Sequence, residues 1–267
     1  MNRKIILLLL AAIFSIQFVN AQPGTWRQIG QKGFLGNTIC AASYNGILYS
    51  VEASGFLYKT NPSSGVYTAL DKGNYINSIF MTAGNNYLIS IEKDGSLYRT
   101  DLIAMKWQRM GEVGAWANTI AAALNVNSGK LYTVESSGVL YVTDIATGVW
   151  TEIGKPEFNH TKFLFAANSN LYSIEEDGSL YIISTIDGSW KQLGEAGAWA
   201  NTLGGANLGD KLYTVESDGT LYETTLSTGI WRQLGKPEFQ NTRFLLPGLN
   251  KIYTIEADGT LYEVNIY

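Results

Sequence analysis

A short stretch recurs six times in this 267-residue chain, and its spacing limits the fold more than any other feature. Its clearest copy is Lys211-Leu-Tyr-Thr-Val-Glu-Ser-Asp-Gly-Thr-Leu-Tyr-Glu-Thr224. Leu212, Tyr213, Thr214 and Val215 are β-rich, and Leu221 and Tyr222 restart the pattern after Asp218-Gly219. Asp-Gly predicts a tight hairpin with a type I′ turn, in which both central residues take positive φ. The Leu/Ile-Tyr pair, or its variant Leu88-Ile89, begins at Leu48, Leu88, Leu131, Leu171, Leu212 and Ile252. A glutamate follows each time, at Glu52, Glu92, Glu135, Glu175, Glu216 and Glu256, and then a turn glycine at Gly55, Gly95, Gly138, Gly178, Gly219 and Gly259. A hairpin repeated at such a period is one part of a repeating supersecondary unit.

Each unit has three further parts. A Gly-rich loop carries a large side chain and an Asn-Thr pair, as in Gly114-Ala-Trp-Ala-Asn-Thr119. An apolar run follows, such as Ile120–Leu124. After the hairpin a last strand carries an aromatic residue, at Trp26, Tyr67, Trp107, Trp150, Trp190 and Trp231, in steps of 41, 40, 43, 40 and 41 residues. Four short strands in about 40 residues is the size of a propeller blade. No helical periodicity competes with this reading.

The first repeat of the last strand, Trp26-Arg-Gln-Ile-Gly30, stands alone before any hairpin, and the sixth hairpin has no such strand after it. The expected fold is therefore an all-β six-bladed propeller over residues 22–267, with four antiparallel strands per blade and the last blade closed by the N-terminal strand. Loop sequences alternate around the ring. Glu112-Val-Gly-Ala-Trp-Ala-Asn-Thr119 returns as Glu195-Ala-Gly-Ala-Trp-Ala-Asn-Thr202, and Lys155-Pro-Glu-Phe158 returns as Lys236-Pro-Glu-Phe239.

Residues 1–21 stand apart. Arg3 and Lys4 precede the apolar run Ile5–Phe14, and Val19-Asn-Ala21 offers a cleavage site, which reads as a signal peptide. A secreted or periplasmic protein is expected, with no membrane insertion. The chain as a whole is 46% apolar and 16% charged, enough apolar side chain for a packed core. A net charge of −4 with no basic run argues against a nucleic-acid partner. Cys40, the one cysteine, lies in an apolar run and is expected to be a buried, inert thiol.

The repeat resembles that of tachylectin-type β-propeller lectins. The resemblance rests on Trp150-Thr-Glu-Ile-Gly154, Phe158, Phe163-Leu-Phe165, Leu171-Tyr172 and Leu180-Tyr181, and it extends blade by blade over nearly all of residues 22–267. It implies a propeller that binds N-acetylated sugars at equivalent sites between blades. The chain departs from that pattern in having six units rather than five, in its Glu-x-Asp-Gly turn, and in having Gly-Ala-Trp where the family has Gly-Gly-Trp.

The loops carry the best candidates for binding. Their aromatic is Tyr75, Trp116, Phe158, Trp199 or Phe239, with Leu35 in the first unit, and their polar partner is Asn77, Asn118, His160, Asn201 or Asn241. An aromatic face stacks on sugar C–H groups while an amide donates to and accepts from hydroxyls. The same Asn-Thr pair could instead cap the loop backbone. The last-strand Trp residues are expected to pack between sheets. The six Glu residues are expected to be buried acceptors for backbone N–H groups at blade interfaces, with sugar hydroxyls as a second role. Asp94, Asp177, Asp218 and Asp258 are expected as turn residues. His160 has no second His or Cys nearby, so no metal, cofactor or catalytic group is expected. The expectation is a non-enzymatic, lectin-like glycan binder with several similar sites at blade junctions, each built from one loop and polar groups of a neighbouring blade; a propeller that binds a protein partner is the alternative, with Trp116 and Trp199 packed away, and a sugar-active enzyme is the third reading.

Overall fold

The computed structural model describes residues 22–267; the signal-peptide reading lies outside the described residues. The strands form six four-stranded antiparallel sheets arranged as the blades of a β-propeller. Blades 1 to 5 cover residues 38–72, 78–110, 119–153, 161–193 and 202–234. Blade 6 joins residues 242–265 to Trp26–Ile29, which pairs with Leu261–Asn265 from Trp26↔Val264 to Ile29↔Leu261.

Blade 5 shows how burial selects sequence. Its first strand, Thr202–Leu208, lines a central channel; Lys211–Glu216 and Leu221–Thr225 follow outward; Trp231–Leu234 forms the edge. The second strand is buried along nearly its whole length, so it reads as continuous Leu-Tyr-Thr-Val rather than an alternation. The edge strand buries only its last residue, Leu234. The same edge pattern recurs at Trp26–Ile29, Trp150–Ile153 and Trp190–Leu193.

The core is shared out between blades. Each of the six hydrophobic clusters spans two neighbouring sheets, and each contains one side chain from the loop slot read in the sequence: Tyr75, Trp116, Phe158, Trp199, Phe239 or Leu35. The cluster holding Leu35 joins blade 6 to blade 1 through Leu246, Tyr253 and Leu48, so the ring closes with the same kind of interface it uses elsewhere.

Two readings are corrected here. The outer-strand Trp residues do not pack between sheets: Trp26, Trp107, Trp150, Trp190 and Trp231 are 45–48% exposed. The outermost strand faces no further strand, so its side chains lie at the rim. The hairpin turn is also not type I′. The Gly219 N–H donates to the Glu216 carbonyl (2.8 Å), the Glu216 N–H to the Thr220 carbonyl (2.9 Å), and only Gly219 takes positive φ, at 87°. This is the three-residue loop built on a type I turn with a glycine bulge. The aspartates hold it: Asp94, Asp177, Asp218 and Asp258 each accept through Oδ1 from the backbone N–H two residues on, at 2.8–2.9 Å.

Candidate functional site

The loop that enters each blade is fixed at three points, and each uses a residue of the repeated motif. The slot residue donates its backbone N–H to the turn glycine of the preceding blade. The pairs are Leu35–Gly259, Tyr75–Gly55, Trp116–Gly95, Phe158–Gly138, Trp199–Gly178 and Phe239–Gly219, at 3.0–3.2 Å. The carbonyl of the Asn, or of His160, accepts from the residue after the repeated Glu, as from Ser217 to Asn201 (2.9 Å) and from Glu176 to His160 (2.8 Å). The hydroxyl after it donates to that Glu: Thr38 to Glu52, Ser78 to Glu92, Thr119 to Glu135, Thr161 to Glu175, Thr202 to Glu216 and Thr242 to Glu256, at 2.6–3.0 Å.

The expected partner of the Glu residues is therefore corrected. Each carboxylate is met by a hydroxyl of its own blade, and a backbone N–H contributes at Glu52, from Asn37. A threonine at the start of the first strand and a glutamate at the end of the second lie side by side in an antiparallel pair, as the register Thr202↔Glu216 records. Burial pushes all six carboxyls above the usual range, and the donated hydroxyl offsets part of that rise.

With those contacts made, the loop aromatics are walled in. Tyr75, Trp116, Phe158, Trp199 and Phe239 are 2–4% exposed, while the side chains of Asn77, Asn118, His160, Asn201 and Asn241 reach solvent. Tyr75 also spends its hydroxyl on Thr100, 2.8 Å away.

The exposed aromatics sit elsewhere. In five blades the outer-strand Trp packs against a third-strand Tyr: Trp26–Tyr262, Trp107–Tyr98, Trp150–Tyr141, Trp190–Tyr181 and Trp231–Tyr222, with ring centroids 4.6–5.1 Å apart. Three of these pairs form one wall of a cavity. In blade 5 a cavity of about 220 Å³ lies between Tyr222 and Trp231, the buried Trp199, the Asn201 side chain, and Glu216 and Asp218. Blade 3 repeats it in about 230 Å³ with Tyr141, Trp150, Trp116, Asn118 and Glu135. Blade 4 has a larger cavity of about 540 Å³ with Tyr181, Trp190, Phe158, His160, Glu175, Glu176 and Asp177. Each cavity is lined by one blade and the loop entering it; no lining residue comes from the neighbouring blade's strands.

The structure thus brings Trp116 with Asn118, Trp199 with Asn201 and Phe158 with His160 into cavities, the aromatic member buried in each wall. Tyr75, Asn77, Phe239 and Asn241 line none of these three cavities. Sequence reasoning missed the Tyr–Trp pairs. The signal was present in Trp-x-x-Leu/Ile-Gly, because in Trp231-Arg-Gln-Leu234 two polar residues follow the Trp, as in an edge strand.

His160 is exposed, with Nδ1 3.1 Å from Glu176 Oε2 and Nε2 3.2 Å from Asn159 Nδ2. No cluster of three His, Cys, Asp or Glu side chains suited to a metal occurs among the described residues. The axial channel, about 670 Å³, is lined by the six first strands and by no carboxylate; its charged lining residues are Lys162 and Arg243. Lys162 donates to the Thr202 carbonyl (2.6 Å) and Arg243 to the Thr38 carbonyl (2.8 Å). Cys40 is buried, which pushes its thiol up to about 12.

No family model matches this sequence, and no curated protein matches it. Solved structures do. A protein of unknown function from Bacteroides thetaiotaomicron VPI-5482 superposes with a TM-score of 0.69 at 15% identity, over 91% of this chain and 76% of that one. YCF48 bound to D1 peptide gives 0.60 at 14% identity, over 85% and 77%. Virginiamycin B lyase from Staphylococcus aureus gives 0.60 at 11% identity, over 91% and 99%. At such identities the likeness is one of fold.

Proposed function

We propose that this propeller is a secreted, non-enzymatic carbohydrate-binding protein, with similar sites on several blades. One observation carries the reading: the same cavity is built on blades 3, 4 and 5, each with an exposed indole braced on a Tyr, an exposed Asn or His side chain at the rim, and in the wall a carboxylate that is buried in blades 3 and 5 and half-buried in blade 4. An indole face takes sugar C–H groups, the amide donates and accepts, and the carboxylate accepts from hydroxyls. The stacking ring is then the outer-strand Trp rather than the loop aromatic, whose face is covered. N-acetylated sugars fit such a cavity, as the resemblance to tachylectin-type lectins implies. Several weak sites on one rigid ring gain apparent affinity on a clustered glycan.

A glycan-array screen tests this, with Trp150→Ala/Trp231→Ala as the comparison. Both side chains are at the rim, so the double variant folds. Glycan binding that disappears in it supports the reading, and silence of the native protein across a broad array overturns it.

A second reading keeps one observation of its own. Trp116 and Trp199 are packed away, and the channel mouth exposes Ile79, Ile120 and Leu203 in line around the axis. This is the arrangement of a propeller whose broad face meets a protein, and a peptide is what the structurally similar YCF48 holds. Pull-down of a discrete partner that an Ile120→Glu/Leu203→Glu variant no longer captures would favour it.

A further inference from the structure

The outer-strand indoles differ in one hydrogen bond, and it sorts them into two kinds. In blades 4 and 6 the entering loop is Lys-Pro-Glu-Phe, and its Glu reaches the outer-strand indole. Trp190 Nε1 donates to Glu157 Oε2 at 2.8 Å, and Trp26 Nε1 donates to Glu238 Oε2 at 2.7 Å. In blades 3 and 5 the loop is Gly-Ala-Trp, so Ala115 and Ala198 stand where those glutamates stand. There the indole N–H groups of Trp150 and Trp231 have no acceptor among the described residues, although both rings lie in cavity walls.

The consequence for a ligand is chemical. A free indole N–H at the wall offers a donor to a sugar oxygen, including the carbonyl of an N-acetyl group. An indole already bonded to Glu157 offers only its ring face, beside a carboxylate whose second oxygen can still accept. That carboxylate is not alone. The blade 4 cavity also holds Glu175, Glu176 and Asp177 against the single imidazole of His160, whereas blade 3 holds Glu135 and blade 5 holds Glu216 and Asp218. A protonated amine is the group that gains both from the indole face and from the carboxylates around it.

We propose that the protein carries two sugar specificities on one ring. The blade 3 and 5 cavities take a neutral unit through the indole N–H, and the blade 4 cavity takes a unit bearing a protonated amino group. This inference rests on the carbohydrate reading.

The seven indole N–H signals in two-dimensional proton–nitrogen spectra test it directly, assigned by single Trp→Phe variants and titrated with N-acetylglucosamine or glucosamine at mildly acidic pH. N-acetylglucosamine is expected to move Trp150 and Trp231 first. Glucosamine is expected to move Trp190 first, and Glu157→Gln is expected to weaken that response roughly tenfold, about 1.4 kcal/mol, while leaving Trp150 and Trp231 unchanged. If the outer-strand indoles titrate together with both sugars, or if Glu157→Gln leaves the glucosamine response intact, the two-specificity proposal fails and the carbohydrate reading stands. If 1,5-diaminopentane moves Trp190 as well as glucosamine does, the site reads an amine without a sugar and the proposal is overturned for blade 4. Stillness with both sugars overturns the proposal together with the carbohydrate reading.

Discussion

Seven tryptophans serve two purposes here, and position in the blade decides which. Trp116 and Trp199 are wedges: each is 2% exposed and sits in the cluster between two sheets. Trp150 and Trp231 are rim residues with nearly half their surface in water. Truncating a wedge leaves a cavity that two rigid sheets cannot collapse to fill. Trp199→Ala is therefore expected to cost about 3–5 kcal/mol of unfolding free energy, while Trp231→Ala costs under about 1 kcal/mol; urea unfolding of the two variants separates them. Equal losses would mean the rim pairs help hold the blade. The buried Glu offers a second test. Thr202→Val removes the 2.7 Å donor to Glu216 Oε1 and strands a carboxylate that is 8% exposed. A loss of about 1–3 kcal/mol is expected, with Thr202→Ser close to native. If valine is tolerated as well as serine, the hydroxyl is not what keeps that carboxyl in place.

At the scale of the element, the turn glycine ties one blade to the next. The Leu35 N–H donates to the Gly259 carbonyl at 3.0 Å, the contact that joins blade 6 to blade 1. Gly259 has φ of 78°, and a Cβ there would stand 2.1 Å from the Gly36 nitrogen. Alanine would have to leave the left-handed region or push the incoming loop off the turn. Gly259→Ala is expected to cost well over ~1 kcal/mol, read as a lower melting temperature and as faster amide exchange at Leu35. Normal exchange at Leu35 would show that the loop docks without the glycine. The closing strand matters for the same reason. Trp26–Ile29 pairs along Leu261–Asn265, and Arg27 bonds Glu263 through Nε and Nη2 at 2.9 and 3.0 Å. Without that strand the mostly buried strand Leu261–Asn265 would become the edge of blade 6, its unpaired backbone groups a template for pairing with other chains.

The whole ring adds up six like contributions, and pH exposes the sum. Burial raises the carboxyls of Glu52, Glu92, Glu135, Glu175, Glu216 and Glu256 above their ordinary 4.5. For a raised carboxyl the folded state holds its proton more tightly than the unfolded chain does. The stabilisation is complete below 4.5 and is lost as pH rises through the folded value. Asp144, held chiefly by the Lys130 ammonium, and Asp101, Asp187, Asp218 and Asp258, held by donors in their turns, are shifted below 3.8, so their contribution is present above 3.8 and is lost only on stronger acidification. The melting temperature is therefore expected to be higher at about pH 5 than at about pH 7.5, by calorimetry at constant ionic strength. A flat or rising profile over that range would show that the six carboxyls ionise without cost.

Much of this was legible in the chain itself. The period of the Leu-Tyr, Glu and Gly positions dictates six equal units, because a hairpin that cannot bury its faces alone has to stack on a copy of itself. The stranded Trp26-Arg-Gln-Ile-Gly30 dictates how the ring closes. What the chain could not show was which side of a strand a tryptophan faces. Trp116 and Trp150 are the same residue type in similar Gly-rich surroundings, yet one is a wedge and the other a rim residue, because the loop folds inward over a neighbour's turn while the outer strand has no neighbour beyond it. Nor could it show that Thr202 and Glu216, 14 residues apart, meet side by side, or that Glu157 reaches the indole of Trp190. Local pattern fixes hairpins and their number; burial and pairing across the blade are properties of the closed ring, and they place the exposed chemistry.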